Sequence, residues 1–190
     1  MGELEGTTGS QPSSGPRVLF LCTGNAARSV MAAVSLSSVL PAADVTSAGT
    51  HVVEGLPPTS RTEQALLGLG LRPTGHRSHQ LTEADVSRAQ LIVGFTRDHV
   101  EFVRRRFPEG AAKTVTLRRL CRDLDDGATL ERRLARLRLA EVSLETWEDI
   151  ADPAGGELED FERCAAEIQE LTGRLARLVD HETRVGEREH

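Results

Sequence analysis

Short apolar runs alternate along the chain with longer stretches in which apolar residues recur every three or four positions. The short runs are typical of strands buried in a parallel sheet, and the longer pattern is typical of helices that cover such a sheet. The predicted strands are Val18–Leu21, Asp44–Ser47, Leu91–Gly94 and Thr114–Leu117. This alternation predicts one three-layer α/β domain, with a four-stranded parallel sheet and helices on both faces.

The residues that begin and end helices support this order. A first helix is predicted after the first strand and ends before Pro41, which cannot continue it. A second begins with Ser60 and Glu63, the spacing of a capping box, and ends near Gly70. A third begins at Thr96. The last carries one apolar stripe within about residues 157–179, formed by Phe161, Ala165, Ile168, Leu171, Leu175 and Leu178.

The length of 190 residues suits one domain with a substantial core, and no interior linker interrupts it. This domain is predicted to span residues 16–180. Residues 1–15 are polar, rich in Gly, Ser and Thr, and without an apolar stretch. They are therefore predicted to form a disordered tail rather than a signal peptide. Residues 181–190 are mostly charged and are predicted to form a frayed tail.

Charge and composition narrow the range of partners. The net charge of −6 and the pI of about 5.6 give no basic surface for a nucleic acid, and no apolar run approaches the ~20 residues of a membrane span. Three cysteines, Cys22, Cys121 and Cys164, form no dense disulfide framework, which favours a reducing cytoplasm. All 23 Lys and Arg residues except Lys113 are arginine, a bias that suggests a bacterial genome rich in G and C.

The strongest chemical signal follows the first predicted strand. Cys22 is separated from Arg28 by five residues that include Gly24 and Asn25, and Ser29 follows at the start of a helix. The backbone N–H groups of such a loop and the helix N-terminus can surround a tetrahedral oxyanion and favour a thiolate. The guanidinium of Arg28 matches two oxygens of that anion, and Ser29 can donate a hydrogen bond to sulfur. The pattern therefore predicts attack of sulfur on a phosphate.

The stretch from Arg17 to Ser29 resembles the signature loop of low-molecular-weight protein tyrosine phosphatases, and of the arsenate reductases that share their fold. The resemblance extends to about Val179, which is most of the chain. Further stretches that carry it are Ser47-Ala48-Gly49-Thr50, Gly55-x-Pro57 and His76-x-Ser78-x-Gln80. It implies a phosphate-binding loop after the first strand and a reaction through a cysteinyl-phosphate intermediate.

Residue roles follow from this resemblance. Cys22 would be the nucleophile and Arg28 the phosphate clamp. Asn25 would hold the loop in shape through a left-handed backbone, Ser29 would tune the thiolate, and His76 would brace Asn25. The residues that would bind phosphate are Thr23, Gly24, Asn25, Ala26, Ala27 and Arg28.

A phosphatase of this kind needs a general acid to protonate the leaving oxygen. The family supplies it from an Asp-Pro pair just before the last helix, and Asp152-Pro153 lies there in this chain. Proline after the acid fixes the direction of the loop. The resemblance therefore implies that Asp152 is the general acid. The implied substrate is a phosphotyrosine-containing protein or a small aryl phosphate.

The other histidines have no spacing typical of metal ligands and are predicted to be surface or packing residues. They are His51, His79, His99, His181 and His190. We therefore predict neither a metal nor an organic cofactor. The sequence specifies no oligomeric state.

Two departures from the family pattern carry expectations. Ala27 lies where many relatives have a second cysteine that can trap the oxidised nucleophile, so Cys22 is predicted to form no such disulfide. The chain contains no tyrosine. Trp147 or Phe95 is therefore the candidate for stacking on a phenol ring, although each can equally be a core residue.

The segment 122–147 is longer than the family pattern and can form a helical insertion. Leu130, Leu134, Leu137 and Leu144 follow helical spacing, and Arg132, Arg133, Arg136 and Arg138 lie among them. One interpretation is a surface helix that packs its leucines against the domain. The other is a lid whose arginines attract an acidic or multiply phosphorylated substrate.

Two alternative functions stay open at this point. Arsenate mimics phosphate, and Thr23 together with Asp152-Pro153-Ala154 also resembles the arsenate reductases. Cys121 and Cys164 are far apart in sequence, so such a reductase would use a small-molecule thiol. The other alternative is a non-catalytic phosphate-binding module, which would need neither a thiolate nor a general acid.

Overall fold

The computed structural model describes residues 15–125, 127 and 129–179. Its four strands form one parallel sheet in the order β2-β1-β3-β4. The strands are Arg17–Cys22 (β1), Asp44–Gly49 (β2), Leu91–Gly94 (β3) and Thr114–Thr116 (β4). The predicted four-stranded parallel α/β fold is therefore confirmed. The two tails predicted at residues 1–15 and 181–190 lie outside the described residues, apart from Gly15.

Seven α-helices are found within the described residues. They are Arg28–Val39 (α1), Ser60–Gly68 (α2), Glu83–Arg88 (α3), Arg97–Arg106 (α4), Leu117–Asp123 (α5), Leu130–Arg136 (α6) and Leu158–Val179 (α7). Short 3₁₀ turns occupy Pro108–Lys113 and Thr146–Glu148. No helix of this described part is long and apolar enough to cross a membrane.

The residues of β1 alternate between two separate cores. Val18 and Phe20 face the larger core, which α1 and α7 cover, whereas Leu19 and Leu21 face the smaller one beside Val86 of α3. The side chains of a strand point alternately to opposite faces, and both faces of the sheet are covered here. Both sides of β1 are therefore almost fully buried. The strand is thereby fixed from both faces, so the loop that follows Cys22 starts from a rigid position.

Several predicted boundaries are shifted by one or two residues in the structure, and two of these shifts involve a threonine that caps a helix. The side chain of Thr59, not Ser60, caps α2 by accepting a hydrogen bond from the N–H of Thr62. Leu117 belongs to α5 and not to the fourth strand, because Thr116 is extended and its side chain caps that helix. Both errors arise where a Thr that can cap a helix stands next to another plausible first residue.

Helix α6 lies at the end of the sheet opposite to the Cys22 loop. Glu131 accepts a hydrogen bond from Gln90, which directly precedes β3. Arg133 is fully buried and donates to the carbonyl of Leu178 near the C-terminus of α7. Cys22, by contrast, ends β1 at the carboxyl edge of the sheet. The interpretation of this segment as a lid over the loop is therefore wrong, and Leu130 and Leu134 pack into the core as the other interpretation holds.

Candidate active site

The loop from Cys22 to Arg28 lies at the carboxyl edge of the parallel sheet, where folds of this type bind ligands. Its start is held by the segment after β2, because the N–H groups of Thr50 and His51 donate to the carbonyls of Cys22 and Thr23, both at 2.9 Å. Gly49 ends β2 directly against this loop. A Cβ at Gly49 would lie 2.5 Å from the Thr23 carbonyl oxygen, so this approach requires glycine.

Asn25 is the residue that fixes the shape of the loop. Its backbone has φ of 52°, the left-handed conformation, and its side chain is fully buried. The Nδ2 atom donates to the Oγ atoms of Ser29 and Ser47 at 2.9 and 3.0 Å, and Oδ1 accepts from the N–H of His79 at 2.8 Å. The Nε2 atom of His76 donates to the carbonyl oxygen of Asn25 at 2.8 Å. The predicted left-handed backbone and the predicted His76 contact are thus both present.

His76 is suited to donate to that carbonyl as a neutral imidazole. Burial lowers the pKa of His76 more than its backbone hydrogen bond to Asn25 raises it, and the charge of Arg77 lowers it further. A carbonyl oxygen only accepts, so Nε2 carries the proton. The hydrogen bond between these two residues therefore does not depend on protonation of the ring.

Two hydrogen-bond donors surround the sulfur of Cys22. The backbone N–H of Asn25 points at Sγ from 3.2 Å, and the Oγ atom of Ser29 lies 3.0 Å from Sγ. The Ser29 oxygen is held beside the sulfur by the hydrogen bond from Asn25, and its O–H can donate to a Cys22 thiolate, which only accepts. Negative charge on Sγ would be stabilised by both donors.

Arg28 and Asp152 face each other across the mouth of the loop. Arg28 is 3% exposed, its Nη1 atom donates to the carbonyl of Ile150 at 3.2 Å, and its Nη2 atom forms a short ion pair with Asp152 Oδ2. The Asp152 side chain is 45% exposed, and its Oδ1 accepts from the N–H of Ala154 at 3.1 Å. The guanidinium is thus fixed in direction, and the partly exposed carboxylate faces it from the solvent side.

These residues surround one cavity of about 460 Å³. It is lined by Cys22, Thr23, Gly24, Ala26, Ala27, Arg28, Thr59, Ser60, Arg61, Asp152, Ala154, Gly155 and Phe161. A larger groove of about 800 Å³ lies behind Asn25, but neither Cys22 nor Arg28 lines it. The smaller cavity is therefore the candidate active site, since it alone of the two contains a nucleophile and a cation.

The start of α2 forms a wall of this cavity that the sequence reasoning missed. The Oγ1 atom of Thr62 donates to the Ala26 carbonyl at 2.9 Å, and the N–H of Thr59 does so at 3.4 Å. Arg61 lies at the rim and pairs with Glu157 at 3.1 Å. The capping signal located this helix terminus, but the sequence carried no signal that it meets the Cys22 loop.

Neither aromatic residue expected to stack on a substrate lines the cavity. Phe95 is fully buried and packs on Phe20 with ring centroids 6.2 Å apart. The ring of Trp147 lies under the guanidinium of Arg122, 3.8 Å from the ring centroid. Phe161 is the aromatic residue among the described cavity residues, and it is 4% exposed. The expectation of stacking on Trp147 or Phe95 is therefore wrong, because both rings already have partners in the fold.

All three cysteines are free thiols and are buried. Burial raises the pKa of Cys121 to about 11 and that of Cys164 to about 12. Thiols of this kind are poor nucleophiles in a disulfide relay, because the thiolate is the attacking species. The surroundings of these two residues therefore do not favour a reductase that uses internal disulfides.

The loop, the buried arginine and the facing carboxylate define a phosphatase with a cysteine nucleophile. Comparison with known sequences identifies the same class. Residues 17–131 match the sequence model of the family described as low molecular weight phosphotyrosine protein phosphatase. The chain belongs to this family.

Two relatives are similar over nearly their whole length. A protein-arginine-phosphatase of Geobacillus stearothermophilus is 32% identical over 87% of this chain and 97% of its own. A low molecular weight protein-tyrosine-phosphatase of Streptomyces coelicolor is 30% identical over 84% of this chain and 92% of its own. The solved structure of the YwlE arginine phosphatase from Geobacillus stearothermophilus matches with a TM-score of 0.71, covering 92% of this chain and 97% of that one.

Proposed function

We propose that this protein is a phosphatase that hydrolyses phosphorylated side chains of proteins through a cysteinyl-phosphate intermediate, with Cys22 as nucleophile, Arg28 as phosphate clamp and Asp152 as general acid. The observation that carries the proposal is that these three residues converge on one cavity. Both donors to the sulfur, the Ser29 hydroxyl and the Asn25 N–H, would stabilise a thiolate there. A module that only binds phosphate would need neither these donors nor a facing carboxyl group.

The reaction has two steps. In the first, Cys22 Sγ attacks phosphorus, and the S–P bond forms as the bond from phosphorus to the leaving oxygen breaks. Asp152 gives its proton to that oxygen. In the second, Asp152 takes a proton from a water molecule whose oxygen attacks phosphorus, which releases inorganic phosphate and restores the thiolate. The N–H groups of the loop and Arg28 would stabilise the charge on the phosphoryl oxygens in both steps.

The ion pair between Arg28 and Asp152 competes with phosphate for the guanidinium. The Asp152 carboxylate occupies its Nη2 side. Phosphoryl oxygens would take its place, since they match the same two-pronged geometry. The hydrogen bond from Arg28 to the Ile150 carbonyl keeps the guanidinium oriented during this exchange. Asp152 is then released toward the leaving oxygen, where it takes up a proton from solvent before it acts as the general acid.

The proposal is tested by hydrolysis of p-nitrophenyl phosphate in the presence of EDTA. We expect turnover by the wild type, none by Cys22→Ser, and a kcat lowered about 10²- to 10³-fold by Asp152→Asn. Matched controls are Cys121→Ala and Asp125→Asn, since Cys121 lies in the core and Asp125 pairs with Arg136 near α6. Full activity of Cys22→Ser would refute the proposed nucleophile, and a wild type inactive when fresh and reduced would refute the proposed function.

Phosphotyrosine is the first candidate substrate, because the matched family bears that name. Phosphoarginine is the second, and two observations favour it. A full-length relative is named protein-arginine-phosphatase. The cavity also lacks an exposed aromatic wall among its described residues, while the Asp152 carboxylate lines it and would attract a substrate guanidinium. Phosphotyrosine and phosphoarginine versions of one peptide decide between them through their kcat/KM values.

The arsenate alternative is tested on the same protein with arsenate and glutathione, and the phosphatase proposal expects no reduction. We further propose a bacterial cytoplasm as the place of action. The free thiols support a reducing compartment, and the full-length relatives come from bacteria.

A further inference from the structure

Thr23 faces the cavity and has a buried partner behind it. It directly follows Cys22, is exposed, and lines the cavity. Its Oγ1 atom lies 3.2 Å from the Nε2 atom of His99, which is on the first turn of α4 and 3% exposed. Gly94 at the end of β3 leaves room for this imidazole, because a Cβ there would lie 2.9 Å from the Cβ of His99. Neither Thr23 nor His99 takes a chemical step in the proposed reaction.

The surroundings of His99 determine which ring nitrogen carries the proton. The backbone N–H groups of Phe95 and Thr96 point at Nδ1 from 3.1 and 3.2 Å. A backbone N–H can only donate, so Nδ1 is the acceptor and Nε2 carries the hydrogen. Nε2 therefore donates to the Oγ1 atom of Thr23.

The imidazole keeps this state over the range in which phosphatases are assayed. Burial, with the charge of Arg28, lowers the pKa of His99 to about 3 against the opposing charge of Asp149. A neutral ring has one donor and one acceptor, and both are used here. The ring therefore stays neutral near neutral pH, and its contact with Thr23 does not change in this range.

The hydrogen bond from His99 determines the direction of the Thr23 hydroxyl proton. An oxygen that accepts from His99 directs its own proton away from the imidazole, and the accessible side of Thr23 is the cavity. We infer that His99 is a positioning residue that fixes the Thr23 hydroxyl as a hydrogen-bond donor to an oxygen of the bound phosphoryl group. This inference rests on the proposed function and adds one side-chain donor to the loop N–H groups and Arg28.

The test separates the two roles of the imidazole. His99→Asn keeps an acceptor near the Nδ1 position but loses the donor to Thr23, whereas His99→Gln can place an amide N–H near the Nε2 position. Thr23→Val removes the hydroxyl at nearly constant volume, and Thr23→Ser keeps it. Thr74→Val is the matched control, because Thr74 is exposed and does not line this cavity.

We expect Thr23→Val and His99→Asn each to weaken the binding of inorganic phosphate and to lower kcat/KM for p-nitrophenyl phosphate about 10-fold or more. Thr23→Ser and Thr74→Val should stay close to the wild type, and His99→Gln should recover most of the loss. The double variant Thr23→Val with His99→Asn should be no worse than Thr23→Val alone, because one residue acts through the other.

Three results would overturn the inference. Thr23→Val could bind phosphate and turn over like the wild type while Cys22→Ser is inactive, which would leave the proposed function intact. The losses of the two single variants could multiply in the double variant, which would mean that His99 acts by another route. His99→Gln could be as impaired as His99→Asn. Phosphate affinity by calorimetry decides the inference even if the wild type shows no turnover, an outcome that would refute only the proposed function.

Discussion

Replacement of Asn25 tests the idea that the loop is held ready for an anion before any substrate arrives. The side chain makes three hydrogen bonds, to Ser29, Ser47 and the N–H of His79. At about 1 kcal/mol net for each, their loss costs about 3 kcal/mol of folding free energy. In Asn25→Ala a further ~1 kcal/mol is expected, because alanine at φ of 52° is strained.

Glycine separates these two contributions. Asn25→Gly loses the same three hydrogen bonds but adopts the left-handed backbone freely, so it should be about 1 kcal/mol more stable than Asn25→Ala. Ser47→Ala removes one partner and should cost about 1 kcal/mol. The measurement is urea unfolding of the wild type and the three variants at neutral pH, with the midpoint and the slope fitted separately.

Activity is expected to fall in both Asn25 variants. Without Asn25 Nδ2, the Ser29 hydroxyl loses the hydrogen bond that holds its oxygen beside Cys22 Sγ. We expect kcat to fall about 10-fold or more even in Asn25→Gly, since a positioned donor to charge is lost. If Asn25→Gly unfolded at the wild-type urea concentration and kept its kcat, the side-chain network would not hold the loop, and the reasoning would be refuted.

Further predictions concern regions outside the loop. Because the pKa of His99 is lowered, this residue binds a proton below pH 6.5 in the unfolded chain but not in the native one. The free energy of unfolding should therefore fall as the pH drops from 6.5 toward 3, by up to ~1.4 kcal/mol per pH unit. A thermal-unfolding series should show a shallower loss in His99→Asn. Glu148→Ala should cost about 3 kcal/mol in urea unfolding, because it removes the nearest carboxylate of the buried Arg119, whose contacts with Asp123 and Glu145 are longer, and a cost below 1 kcal/mol would contradict this. Peroxide should inactivate the protein without a disulfide at Cys22, and a bridge to Cys121 or Cys164 in a peptide map would contradict this. The exposed arginines around α6 are Arg132, Arg136 and Arg138. Their joint replacement by Gln should leave kcat/KM for acidic phosphopeptides unchanged, since α6 lies away from the loop, and a large fall would contradict this placement.

The chemistry of the loop could be predicted from the sequence because it is local. Cys22 ends β1, Asn25 lies in the following loop, and Arg28 and Ser29 begin α1, so eight consecutive residues surround one anion. The position of Asp152 needed the resemblance to a family, since the sequence places it 124 residues from Arg28 and no periodicity brings the two together.

Contacts between distant segments account for what was missed. His99 lies 76 residues from Thr23, and a single histidine on an amphipathic helix has the same pattern as a packing residue. Arg133 and Glu148 are charged, so hydropathy predicts exposure, yet both are fully buried. Arg133 donates to the Leu178 carbonyl and lies 3.8 Å from Asp125, and Glu148 accepts from Arg119. A pattern of apolar positions cannot show which charges the fold will pair.

The loop from Cys22 to Arg28 is held by several elements at once, and this limits how far it must move when a substrate binds. The end of β2 approaches it through Gly49, the 76–79 segment holds Asn25, the start of α2 holds Ala26, and His99 holds Thr23. Each of these contacts lies within the protein and needs no oxygen of a phosphoryl group, so the loop can keep its shape when that group enters. The one contact that must be exchanged is the ion pair between Arg28 and Asp152, and its carboxylate side is exposed to solvent. Substrate binding therefore needs rotation of a single side chain rather than rearrangement of the loop.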